Sequence, residues 1–249
     1  MEKIAVIVFG EGGELGSFKV FADSLEKELN PKYKKIIKKY VNRDYTFFNL
    51  VKSIDHNNEQ IAELHIFSHA IGAGLFIGYH DALIMANRYT VVNTAHSMGR
   101  NVTYNEVVST EVGAIQTDDL MMGSIQSQKA DLQKKFTPDA FIKIWGCNSG
   151  VDGWIYSDAG VVDPSDTSVV YYWRAFNEYN VPKPSIAGAF AIFFNRKVYG
   201  AKSGSHIEVM HNKKWIDSQE YKNKIGHWPS GNLPHRLIPD RGGYNEFAP

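Results

Sequence analysis

Cys147 is the only cysteine in a chain of 249 residues, so it has no intramolecular disulfide partner and serves either as inert packing or as chemistry. A thiolate is a competent nucleophile near neutral pH when a neighbouring imidazole lowers its pKa or carries protons for it. The chain offers such an imidazole in a comparable setting. The stretch Ile61 to Gly78, IAELHIFSHAIGAGLFIG, delivers His69 onto a glycine-rich turn, and Asp139 to Gly153, DAFIKIWGCNSGVDG, delivers Cys147 onto another. Each follows a short apolar run, Leu64 to Phe67 and Phe141 to Trp145, that reads as a strand. Adjacent strands lie about 4.8 Å apart, so residues just past two neighbouring strand ends come within catalytic reach despite a separation of 147 − 69 = 78 positions.

Other residues compete for a chemical role. Ala95-His96-Ser97-Met98-Gly99 resembles the nucleophile elbow of α/β-hydrolases, with Asp163 and then His206 or His235 completing the order Ser, Asp, His of a serine esterase. An elbow needs a helix directly after the serine, whereas Arg100 to Val112 is rich in β-branched residues and Asn. Gly10, Gly12, Gly13 and Gly16 occupy the place of a phosphate-binding loop, but Glu11 and Glu14 put negative charge there and the spacing of a dinucleotide fingerprint is not met. His65 and His69 stand four apart with no cysteine or paired carboxylate at ligand spacing, so no metal is expected, nor any cofactor. The lysines from Lys32 to Lys39 alternate with Tyr33, Ile36, Ile37 and Tyr40, which describes one solvated face.

The elements that must position Cys147 and His69 alternate in kind. Ile4 to Phe9 reads as a β-branched strand, Phe18 to Leu29 as an amphipathic helix, Lys34 to Val41 as a strand and Thr46 to Ile54 as a helix. Asp118 to Phe136, Ser168 to Tyr179 and Ser185 to Phe194 read as helices, with a strand around Val198. Tyr171, Tyr172, Trp173 and Phe176 then belong to a helix packed on the sheet. This alternation predicts an α/β fold, a mostly parallel sheet covered by helices on both faces, in which chemistry gathers beyond the carboxyl ends of central strands. His69 and Cys147 both occupy such exits.

A hydrophobic strand ending in Ser68-His69 with a small residue after it, and a later strand ending in Gly146-Cys147, resembles the caspase-like cysteine peptidases, a group that includes gingipains and CHAT domains. About 33 residues in those two segments carry the match, and the strand–helix order carries it loosely over residues 1–200. The resemblance implies a three-layer architecture, with Cys147 as nucleophile, His69 as the acid/base that protonates the leaving amine, and an oxyanion hole made by the main-chain N–H groups of Cys147 and Ala70. The family usually has glycine where this chain has Ala70. Alanine keeps the N–H but resists positive φ, so the oxyanion hole requires that residue 70 not be left-handed. A protein or peptide substrate follows. Glu11, Glu14 and Asp152, in loops at the same sheet edge, are candidates for binding a basic P1 side chain through a charge-assisted hydrogen bond. A second reading keeps the fold as a non-catalytic binding module.

Composition bounds these readings. Lys+Arg 27 against Asp+Glu 27 leaves no net field to gather nucleic acid or an anionic membrane, and 43% hydrophobic residues suffice for a proper core. No apolar run approaches the roughly 20 residues of a membrane span, and Ile4 to Phe9 is too short for a signal sequence, so cytoplasmic synthesis is expected. Nothing marks a domain boundary. The expectation is one domain over 1–249, with an insertion at about 79–117 and an irregular C-terminal extension from about 203.

Overall fold

The computed structural model describes residues 1–11, 18–72, 74–78, 94, 97–99, 113–117, 119–121, 123–153, 155–157, 160–162, 169–170, 184–207, 236–239 and 241–249. In chain order the strands are β1 (Glu2–Phe9), β2 (Ile36–Tyr40), β3 (Glu59–Phe67), β4 (His69–Ile71), β5 (Gly74–Phe76), β6 (Ile115–Gln116) and β7 (Phe136–Ile144). They continue as β8 (Ile155–Ser157), β9 (Gly160–Val162), β10 (Val169–Val170), β11 (Lys197–Ala201), β12 (Ser205–Ile207), β13 (Leu237–Pro239) and β14 (Tyr244–Phe247). The helices are α1 (Lys19–Leu29), α2 (Asp44–Lys52), α3 (Gly123–Gln126), α4 (Lys129–Lys134) and α5 (Ile186–Phe194).

A six-stranded sheet in the order β14-β11-β7-β3-β1-β2 organises the fold, every pairing parallel except β14 on β11. The fold is therefore α/β with a mostly parallel sheet, as the strand–helix alternation predicts. Alternate residues of β1 enter two separate apolar clusters because successive side chains leave a strand on opposite sides. Ile4, Val6 and Val8 pack with Phe47 and Val51 of α2, Leu132 of α4 and Phe190 and Phe194 of α5. Ala5, Ile7 and Phe9 pack with Phe18 and with Phe21, Ala22 and Leu29 of α1. Burial of one such phenylalanine contributes about 1.5–3 kcal/mol, so these stripes hold the helices in place.

Helix ends follow local chemistry. Ser185 takes an extended backbone and its hydroxyl accepts from the Gly188 N–H at 3.1 Å, capping α5, while Asn195 closes the same helix at φ 52°. The single helix expected over 118–136 is instead a turn at Asp119–Met121 followed by α3 and α4, and Phe136 already belongs to β7. Side chains compete there with the helical ladder: Ser127 Oγ and Gln128 Nε2 both donate to the Ser124 carbonyl, and Gln126 Nε2 donates to that of Leu120. Val169 and Val170, expected in a helix, form β10 in antiparallel register opposite Val162 and Val161, and valine favours extended backbone. Residues 171–179 of that expected helix, including Tyr171, Tyr172, Trp173 and Phe176, lie outside the described residues.

Beyond 203 the chain is more regular than expected. Tyr244–Phe247 forms the antiparallel edge of the main sheet, pairing Ala201 with Tyr244 and Val198 with Phe247. Four residues are too few to show a period among glycines and prolines, and the partner lies more than forty positions away. Of the segment expected as an insertion, only 94, 97–99 and 113–117 are described. Among the described residues no helix is long and apolar enough to cross a membrane.

Candidate active site

β3 and β7 are neighbours in the sheet, and their register carries the site. Glu63 faces Phe141, Leu64 faces Ile142, His65 faces Lys143 and Ile66 faces Ile144, a constant offset of 78 positions (144 − 66). His69 and Cys147 differ by that same offset. The ladder continues one step past the strand ends, since Trp145 N–H donates to the Ile66 carbonyl at 2.9 Å. The two exits then touch: a Cβ on Gly146 would lie 2.5 Å from Ala70 Cβ and 2.7 Å from the Ser68 carbonyl oxygen. Glycine is thus required at 146 because the backbone before Cys147 lies against the backbone on either side of His69.

The Cys147 turn is tied down on its far side by β11. Asn148 is left-handed at φ 54°, which asparagine tolerates, and its N–H donates to the Ser203 carbonyl at 2.9 Å. Ser149 is fully buried; its hydroxyl donates to the Gly146 carbonyl at 2.8 Å and accepts from the Ala201 N–H at 3.0 Å. Gly150 and Gly200 meet backbone to backbone, for a Cβ on Gly150 would sit 2.3 Å from the Gly200 carbonyl oxygen. Cys147 itself is half-buried, and its Sγ accepts a hydrogen bond from the Ser205 N–H at 3.2 Å. That contact from the start of β12 has no sequence signature, because any non-proline residue could donate it.

His69 opens β4 opposite Phe76, half-buried, with its ring edge-on to Phe18 at 5.0 Å between centroids. Phe18 belongs to the apolar cluster under α1, as does Phe67 two residues before His69. Ala70 pairs with Leu75, and the described non-glycine residues with positive φ are Asn148 and Asn195. Ala70 therefore presents its N–H from ordinary extended backbone, and alanine carries no conformational penalty there.

The residues two and four positions before the pair form its floor. Phe67 and Trp145 stack at 5.1 Å with an interplanar angle of 15°. Below them Glu63 and His65 are each 4% exposed, with His65 Nε2 3.0 Å from Glu63 Oε2. Trp145 Nε1–H donates to His65 Nδ1 at 3.3 Å. An indole can only donate, so the proton of the neutral imidazole sits on Nε2 and points at Glu63. Burial pushes the His65 pKa below its ordinary value, more than its carboxylate partner raises it. Burial pushes Glu63 up, but hydrogen bonds from His65, Lys32 and Tyr33 outweigh it and hold the carboxyl at about 2. Lys143 places its ammonium 3.7 Å from the Trp145 ring centroid and 4.2 Å from that of Tyr244, and burial brings it down to about 8. Burial, with Cys147 charge as a smaller cause, raises the Tyr244 phenol well above its usual range.

The residues expected to bind substrate are placed differently. Asp152 accepts the Ser185 N–H at 2.7 Å through Oδ1, which anchors the start of α5. Glu11 accepts from the Tyr40 hydroxyl, and its own N–H donates to the Ile77 carbonyl at 2.7 Å. Glu14 lies outside the described residues. Ser97 is exposed in a helical turn, where its hydroxyl donates to the Thr94 carbonyl at 2.8 Å, and the residues from Arg100 to Val112 that would form the helix of an elbow lie outside the described residues. Asp163 and His235 lie outside the described residues, and His206 stands on β12. Among the described residues no three His, Cys, Asp or Glu side chains gather as a metal site.

Sequence reading missed Ser205, Ser149, Tyr244 and the Glu63–His65–Trp145 chain. Glu63 and His65 carried one usable signal, two polar residues at alternate positions of a stretch, Ile61 to Phe67, that is otherwise apolar. No protein-family model, curated protein or solved structure matches this chain.

Proposed function

We propose that the protein is a caspase-like cysteine peptidase, a three-layer fold with helices on both faces of the sheet, in which Cys147 attacks the peptide carbonyl and His69 carries the proton. The observation that supports this reading best is the shared offset: β3 pairs with β7 at 78 positions from Glu63–Phe141 to Ile66–Ile144, which is also the separation of His69 from Cys147, and a Cβ on Gly146 would meet Ala70. In the first step the Cys147 sulfur bonds to the carbonyl carbon, and the thiol proton passes through His69 to the leaving amine as the C–N bond breaks. The N–H groups of Cys147 and Ala70 hold the developing oxyanion. Water, deprotonated by His69, then attacks the thioester, releasing the acid and restoring the thiol. The Ser205 N–H that donates to Sγ orients the sulfur at the end of its turn. Glu11 and Asp152 lend no support to a basic P1 preference, since both carboxylates have internal partners.

The test combines cleavage with thiol labelling. Incubation with a complex peptide mixture, read by mass spectrometry of newly formed N-termini, should show products that fall at least ~1000-fold with Cys147→Ala. Iodoacetamide should alkylate Cys147 rapidly near pH 7 and about tenfold or more slowly in His69→Ala, because the imidazole no longer assists the thiolate. Equal alkylation rates in the two proteins, or cleavage that survives Cys147→Ala, would overturn the proposal. Ester hydrolysis that survives Cys147→Ala and fails in Ser97→Ala would point instead to the serine reading.

A further inference from the structure

The floor beneath the cysteine and histidine contains a buried imidazole that the proposed reaction does not use. His65 stands on β3 four residues before His69, and its two nitrogens have different duties: Nε2 meets Glu63 at 3.0 Å and Nδ1 accepts from Trp145 at 3.3 Å. Trp145 stands two residues before Cys147, stacks on Phe67 at 5.1 Å and meets Tyr244 edge-on at 5.9 Å. The indole thus joins the floor under His69 to the edge strand beside Cys147. Its N–H has one hydrogen-bond acceptor among the described residues, and that is His65.

We infer that His65, acting through the Trp145 indole, is a positioning residue for the turn that carries Cys147; the inference rests on the thiol-hydrolase reading above. The physical reason is donor–acceptor matching. While Nδ1 is bare it fixes the indole, and when Nδ1 carries a proton two N–H groups face each other and the indole must shift. The surroundings of His65 define when that happens. Glu63 on its own strand favours the protonated form and is itself held by Lys32 and Tyr33; Lys143 on β7 opposes it, with Glu28 of α1 acting on Lys143 in turn. Phe141 and Trp145 supply the apolar walls, with the Phe141 ring edge-on at 5.7 Å.

Two substitutions separate the duties of the two nitrogens. His65→Asn keeps an acceptor in the place of Nδ1 and cannot titrate, whereas His65→Gln keeps a donor toward Glu63 and withdraws the acceptor from Trp145. A misplacement of order 1 Å at a reacting atom can cost ~100-fold, so iodoacetamide alkylation of Cys147 near pH 7 should slow about tenfold or more in His65→Gln and stay within about threefold of the parent in His65→Asn. Parent-like rates in both, or a fast Gln variant with a slow Asn variant, would overturn the inference. If His69→Ala leaves alkylation unchanged, the thiol-hydrolase reading falls; if His69→Ala slows it and His65→Gln does not, only the present inference falls. A second measurement needs no turnover and no Gln variant. Emission assigned to Trp145, by difference from Trp145→Phe, should change as the parent is acidified below 6.5, the ordinary histidine value, and stay flat in His65→Asn. An unchanging signal in the parent would also overturn the inference.

Discussion

The two sides of the central strands are built to different rules. On one side, residues Leu64, Ile66, Ile142 and Ile144 are fully buried aliphatics packed among phenylalanines. On the other side the alternate positions read Glu63, His65 and Phe67 on β3, which leads to His69, and Phe141, Lys143 and then Trp145 on β7, which leads to Cys147. One side holds the fold by apolar contact. The other accepts buried charge, neutralised by hydrogen bonds and ring faces, and carries that polarity up to the candidate site. A buried carboxylate is costly unless partnered, and Glu63 is partnered, with His65, Lys32 and Tyr33 all on its carboxylate.

Breaking the apolar side should cost the most stability and the least chemistry. Phe190→Ala empties a fully buried site stacked on Phe47 at 6.0 Å and should destabilise by about 3–5 kcal/mol, seen as a lower urea midpoint. Below its unfolding transition, Cys147 alkylation in that variant should match the parent. Alkylation that fell in step with stability would show that the two sides are not separable.

Gly146→Ala sharpens the contrast from the other direction. The added methyl would sit 2.5 Å from Ala70 Cβ, so the two strand exits must part, at about 1–3 kcal/mol. Here the loss in alkylation rate should exceed the loss in stability. Restoring room with a second change, Ala70→Gly, should recover the rate in part.

The polar side should also reveal itself through pH. His65 titrates near 6.5 when unfolded and lower when folded, so between those values the unfolded chain binds more protons and stability falls as pH drops below 6.5. Glu63 has an ordinary value of 4.5 and is held at about 2 in the fold, so its contribution is complete above 4.5 and is lost as pH falls toward 2. Urea midpoints measured across this range should drop in two limbs, and His65→Asn should remove the upper one. A single limb confined to the region below 4.5 in the parent would contradict the assignment of His65. The smallest effect expected is at the cap of α5, where Ser185→Ala should cost about 1 kcal/mol and leave both sides otherwise intact.

Much of the scaffold is legible in the sequence. β1, α1, β2, α2, α5 and β11 fall close to the segments read from periodicity, because each is long enough to show its period of apolar residues. The breaks between α3 and α4 were not legible, since they turn on side chains competing for particular carbonyls. Nor was β14, whose four residues acquire their identity only from β11. At the site, His69 and Cys147 could be singled out from residue type and setting, whereas the capping duty of Asp152 and the Ser205 N–H on sulfur could not, since both depend on which loops meet.

The amino-acid sequence alone determined the alternation of strand and helix, the two glycine-rich exits and the single thiol, because backbone propensity, side-chain period and residue type are local properties. Only the tertiary structure decided that β3 lies beside β7 at an offset of 78 positions, that Gly146 abuts Ala70, and that Glu63, His65 and Trp145 form one chain of hydrogen bonds. Register is a choice among pairings of similar local merit. It is settled by which residues both faces of the sheet can bury at once, a condition that no segment satisfies by itself.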